Sequence, residues 1–197
     1  MTLDHLVIAA PSLEIGAAWF EHQTGVKAQA GGKHPLMGTH NLLAKLGADT
    51  YLEIISIDPE APAPSRARWF ELDQPILEPR LIHWVARCDN LEQIKNLDGI
   101  VTPVTRGAYS WKITIPEDGH LPSGGVFPTL IQWHSPNPSS SLENNGLELR
   151  RLELFHPNPE SIQAKLQALN LELPVQFAQS PRLKATLQTP LGIACLE

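Results

Sequence analysis

The chain has 197 residues, enough for one full-size domain that buries roughly 70% of its unfolded surface. With 15 basic and 21 acidic residues its net charge is −6, so it has no basic stripe with which to displace counterions from a nucleic-acid backbone. No apolar run reaches the roughly 18–20 residues of a membrane span, and the chain opens without a charged-then-apolar leader. The expectation is a cytoplasmic protein that engages a small molecule, with neither nucleic acid nor membrane as partner.

Residues 3–10 read as a strand with His5, Val7 and Ala9 on one face and Leu6, Ile8 and Ala10 on the other. Pro11-Ser12 breaks it, and Ser12 is a good N-cap for a helix over 13–23, which Gly25 stops. A Gly-rich stretch follows, then a strand near 39–46, a turn at Gly47-Ala48-Asp49 and the strand TYLEIISI. The next stretch is rich in proline and charge and reads as a linker pinned to the surface by Trp69-Phe70. Cys88 and Cys195 lack any metal-binding spacing and read as buried free thiols.

The pattern then restarts. HWVARCDNLE (83–92) aligns with HLVIAAPSLE (5–14), pairing His83 with His5, and TLIQWHS aligns with TYLEIIS, pairing Gln132 with Glu53. Glu53 follows His5 by 48 residues, and Gln132 follows His83 by 49. A third start at RLELFHPNPE (151–160) has Asn158 as cap, Pro159 at the first helical position and Arg151 where the other copies have histidine. The fold class is therefore α+β: paired βαβββ modules with curved mixed sheets enclosing a cavity, plus a third partial module. The expected organisation is one domain over 1–197, with module 1 at 1–58, a linker at 59–79, module 2 at 80–136 and a C-terminal module at 148–197.

With helices over one face of each sheet, Leu6, Ile8, Trp84 and Ala86 pack beneath them, Trp133 joins that side, and the opposite face turns toward the cavity. There His5, Glu53, His83 and Gln132 converge as a donor set for a divalent metal. Arg87, His134, Asn41 and Tyr51 are candidates for substrate contact, and an arginine in such a cavity suits a carboxylate or phosphate. His34, in the glycine-flanked loop GGKHPLMGTHN, can reach a ligand at the cavity mouth.

The stretches DHLVIA, GGKHPLMGTHN, YLEII, HWVARCDNLE and FPTLIQW resemble the glyoxalase-like branch of the vicinal oxygen chelate superfamily. The resemblance implies a metal (Zn, Ni, Mn or Fe) held by first- and last-strand side chains, here His5, Glu53, His83 and Gln132. Gln132 stands where glyoxalase I has a catalytic glutamate, which leaves Glu53 and His34 as the candidate catalytic groups. Three functions follow as expectations. The first is a metal-dependent isomerase or lyase on a small oxygenated metabolite. The second is an Fe(II) ring-cleaving dioxygenase, and the third a metal-free sequestering module. A homodimer is compatible with each.

Overall fold

The computed structural model describes residues 1–197. Module 1 contains β1 (Thr2–Ala9), α1 (Leu13–Thr24), β2 (Gln29–His34), β3 (Thr39–Lys45) and β4 (Tyr51–Ile57). Local chemistry sets the ends of α1: Ser12 Oγ accepts from the Ile15 N–H, and Gly25 takes the left-handed conformation at φ 71° that closes the helix. Module 2 contains β5 (Arg80–Arg87), β6 (Ile100–Arg106), β7 (Tyr109–Ile115) and β8 (Thr129–Trp133). Its expected helix is absent. Asn90 caps only a single 3-10 turn at Leu91–Gln93, because Ile94 reverts to extended backbone.

The two modules form one eight-stranded sheet in the order β2-β3-β4-β1-β5-β8-β7-β6. The first strands, β1 and β5, pair antiparallel at its centre. Each is flanked by its own module's last strand running parallel, β4 beside β1 and β8 beside β5. The sheet curls until its outer strands meet, so that Arg106 at the end of β6 lies against Gly32 and His34 of β2.

The chain then builds a second sheet from β9 (Glu148–His156), α2 (Pro159–Ala168), β10 (Val175–Phe177), β11 (Arg182–Thr189) and β12 (Gly192–Leu196). The element order repeats β-α-β-β-β, but the strand order is β10-β9-β11-β12. This sheet supplies Leu152, Leu154, Leu183 and Leu187 to the cluster that contains Leu6, Ile8, Trp84, Ala86 and Phe20. It therefore covers the convex face that module 2, lacking its helix, would leave open. Full burial of each large side chain there contributes roughly 1.5–3 kcal/mol. Cys195 lies on this unit's edge strand β12 and is exposed rather than buried, because alternate residues of that strand face solvent; Cys88 is half-buried. No helix is long and apolar enough to cross a membrane.

The linker is not a surface strap. Trp69 and Phe70 are 3% and 5% exposed and belong to the apolar cluster of the concave face, with Val7, Ile55, Val85 and Trp111. Phe70 and Glu71 take positive φ angles of 59° and 54°, a conformation that costs non-glycine residues of order 1–3 kcal/mol. The loop before β8 holds them there. The Glu71 N–H donates to Gly119 O at 2.9 Å, and the Glu71 carboxylate accepts from the Leu121 N–H at 3.1 Å.

Candidate active site

The concave face encloses a narrow slot. His5, His34, Tyr51, Glu53 and Arg106 form its polar end, and Trp69, Phe70, Trp111 and Trp133 form its walls.

His5 Nδ1 lies 2.7 Å from Asp4 Oδ1, so Nδ1–H donates to the carboxylate and Nε2 is the nitrogen left facing the slot. Asp4 Oδ2 accepts from Trp133 Nε1–H at 2.9 Å and Asn137 Nδ2–H at 2.8 Å, with Arg87 Nε 3.8 Å away. His5 Nε2 faces Glu53 Oε2 across 3.8 Å, too far for a hydrogen bond, and Tyr51 stacks on the imidazole at 4.6 Å. Glu53 Oε1 accepts from the Asn41 side-chain amide, whose own oxygen accepts from the Gly32 N–H at 2.8 Å. Burial, reinforced by the Asp4 and Glu53 carboxylates, pushes the Tyr51 phenol well above its ordinary pKa, so it stays a donor.

His34 donates from Nδ1 to Thr39 Oγ1 at 3.1 Å, and its Nε2 lies 3.4 Å from Arg106 Nη1 and 4.0 Å from Glu53 Oε1. Burial, with the Arg106 charge behind it, holds His34 well below the ordinary histidine pKa, so it is neutral and accepts from the guanidinium. Tyr109 and Trp111 face that guanidinium at 5.4 and 5.9 Å from their ring centroids.

The structure brings together His5, His34, Asn41, Tyr51 and Glu53, and leaves the other sequence candidates outside. His83 lies on the cavity side of β5 but is fully buried beneath Phe70. Its Nδ1–H donates to Gly125 O at 3.0 Å, and its Nε2 accepts from the Thr129 N–H at 3.1 Å and hydroxyl at 2.9 Å. Burial lowers its pKa to about 3. Gln132 points to the opposite face, where its Oε1 accepts from the Leu91 N–H at 2.9 Å. Glu53 stands opposite Val7, and the residue opposite Val85 is Thr129, three positions before Gln132. An odd shift along a strand reverses every face. For the same reason Trp133 lines the slot instead of the convex core. Arg87 serves Asp4 from the rim, and His134 is exposed beyond the end of β8.

These placements do not fit the four-ligand metal centre. Two of its four donors are committed elsewhere, and the guanidinium of Arg106 stands against His34, which in turn lies 4.0 Å from Glu53. No three histidine, cysteine or acidic side chains are arranged to hold a metal ion.

Sequence reading missed Asp4, Arg106 and the contribution of Trp69, Trp111 and Trp133. Asp4 was hidden by a register shift between Leu3 and His5 that makes it the extra residue of a bulge and swings it to its neighbour's side. The one legible signal for Arg106 was Gly31-Gly32, which marks a close approach to β2 without naming what approaches.

Paired modules joined at their first strands and curled around a pocket define the vicinal oxygen chelate fold. The chain belongs to the glyoxalase-like domain family, whose model matches residues 3–170. Among solved structures it is similar to a hypothetical protein from Staphylococcus aureus, with TM-score 0.64 and 11% identity over 100% of this chain and 98% of that one. A methylmalonyl-CoA epimerase from Mycobacterium tuberculosis gives TM-score 0.43 and 16% identity over 67% of this chain and 86% of that one. No curated protein matches the chain.

Proposed function

We propose that this protein is an acid–base enzyme of the isomerase or lyase type, moving a proton on a small oxygenated metabolite without a metal. The observation that carries the reading is the fixed imidazole. Asp4 holds His5 in one tautomer, and Nε2 faces an unbridged gap before Glu53 inside a buried slot.

In the proton-transfer step a C–H bond beside the substrate carbonyl breaks. The proton passes to His5 Nε2, and the electron pair moves onto the carbonyl oxygen, to which the Tyr51 hydroxyl can donate. Asp4 stabilises the imidazolium, and Glu53, oriented by Asn41, accepts from a substrate hydroxyl. When Glu53 passes the proton of that hydroxyl to the enolate oxygen and His5 returns the carbon-bound proton to the former carbonyl carbon, an isomerisation is complete, whereas expulsion of a β-substituent completes an elimination. Positioned general-base catalysis of this kind contributes roughly 10²–10⁴-fold. The dioxygenase alternative lacks support, since His83 has no free nitrogen to offer iron.

The test is deuterium wash-in from D2O into a panel of 2-hydroxy and 2-oxo carboxylates, followed by NMR. Exchange that survives exhaustive chelation and falls about 10²-fold or more in His5→Ala is the expected result. Exchange lost on chelation and restored by a divalent metal, or unchanged in His5→Ala, overturns the reading. Ligand binding without exchange overturns it in favour of a sequestering module.

A further inference from the structure

We infer that Arg106 and the indole N–H groups of Trp69 and Trp111 form a binding site for a carboxylate carried on a flat, apolar ligand. This rests on the proposed function and deepens it by assigning a substrate class to the same slot.

Three observations carry it independently of the His5 chemistry. First, Arg106 is 6% exposed and forms no ion pair, its one side-chain partner being the neutral imidazole of His34. A buried charge without a counterion is costly, and a fork with unused N–H donors is the geometry that takes a carboxylate by two parallel hydrogen bonds. Second, Trp69 and Trp111 line the slot, and their Nε1–H groups are buried without an acceptor. Buried indole donors ordinarily find partners, so two orphans lining the same slot as an unpaired arginine mark a place where an acceptor oxygen belongs. Third, the remaining wall is Phe70, Ile113, Ile131 and Trp133, which offers flat apolar surface and no further cation.

Charge sets the direction in which the ligand lies. Its carboxylate is repelled by Glu53 and drawn to Arg106, which leaves its carbonyl or hydroxyl end beside His5 and Glu53. A tetrahedral dianion matches this arrangement poorly, because a narrow slot between rings suits a planar group and the second charge would stand closer to Glu53.

The experiment titrates benzoate, and benzamide as its uncharged counterpart of the same shape, into the full chain by calorimetry. Benzoate is expected to bind about 10–100-fold more tightly, the range of one charge-assisted contact. Arg106→Lys, which keeps the charge and loses the fork, and Arg106→Gln are both expected to weaken benzoate about 10-fold or more. Trp111→Phe removes one N–H and most of the indole contact, with an expected loss of about 3–10-fold. Thermal melts check that each variant is folded, and Trp111→Phe tests the site if both arginine variants fail to fold. Benzamide binding as tightly as benzoate, or unchanged benzoate binding in Arg106→Lys and Trp111→Phe, overturns the inference. Inorganic phosphate competing as well as benzoate overturns the carboxylate assignment. His5→Ala keeps the two proposals apart, since it is expected to bind benzoate normally while losing exchange.

Discussion

Asp4 Oδ1 lies 2.7 Å from His5 Nδ1 although the two residues are neighbours in one strand. Regular alternation would place them on opposite faces; the bulge at Leu3/His5 brings the Asp4 carboxylate round to the His5 ring, where it is completely buried. The second Asp4 oxygen is saturated by Trp133 and Asn137, so the carboxylate cannot turn away.

From this follows the first prediction, for Asp4→Asn. The amide keeps the volume but offers an N–H toward Nδ1, which favours the opposite tautomer and places the ring proton on the nitrogen facing the slot. Exchange activity is expected to fall by about 10²-fold or more, while benzoate affinity stays within a few-fold of the parent. Deuterium wash-in and calorimetry on the same preparation separate the two effects. An active Asp4→Asn protein would show that His5 is not the base.

The second prediction concerns His83 and pH. Its folded pKa of about 3 lies below the ordinary 6.5, so between those values the unfolded chain binds the extra proton and the folded one does not. Stability from this residue is complete above pH 6.5 and is lost as the pH falls toward 3. At pH 5 the loss is about 2 kcal/mol. His34 is displaced in the same direction and adds to it. Urea midpoints at pH 7.5 and 5.0 measure the total. His83→Gln, whose amide can still donate to Gly125 and accept from Thr129, is expected to be less stable at pH 7.5 and to show a flatter pH dependence. An unchanged slope in that variant would refute the assignment.

Much of this molecule is legible in its sequence. The recurrence of strand and break at His5 and His83 marked the two modules, and Ser12 and Gly25 marked the ends of α1 within a residue or so. Glu53, alone among Leu52, Ile54 and Ile55, stood out as a polar group on a buried strand. What could not be read depended on register and on contacts distant in sequence. The motif alignment makes Gln132 the counterpart of Glu53, whereas the hydrogen-bonded ladder makes Thr129 its counterpart, and the difference of three residues exchanges one face for the other. Asn90 and Leu91 carry a helix-start pattern, but the turn ends after one cycle at Ile94, and sheet β9–β12 supplies the apolar side chains on that side instead. Arg106 reaches His34 only because the curl of the sheet joins its two edges, and no local pattern carries that information.

The third prediction turns on two adjacent glycines of β2, which the same curl constrains differently. Gly31 sits at the register shift between Ala30 and Gly32, and a Cβ there would stand 2.0 Å from Asn41 Oδ1 and 2.8 Å from the Asn41 backbone oxygen. The side chain could turn aside, but the backbone cannot, so Gly31→Ala must distort the hairpin and pull Asn41 from Glu53. A loss of about 1–3 kcal/mol in stability is expected, together with a drop in exchange activity. Gly32 faces the other way. Its Cβ would meet Arg106 Cγ and Cδ at 3.0 Å, a contact that a flexible side chain relieves by moving a few tenths of an ångström. Gly32→Ala is therefore expected to melt within a few degrees of the parent and to weaken benzoate several-fold, because the guanidinium shifts while the hairpin stays intact. Thermal melts and benzoate titrations of the two variants side by side check this. Equal effects of both substitutions on folding, with none specific to benzoate, would place Arg106 outside the ligand's reach.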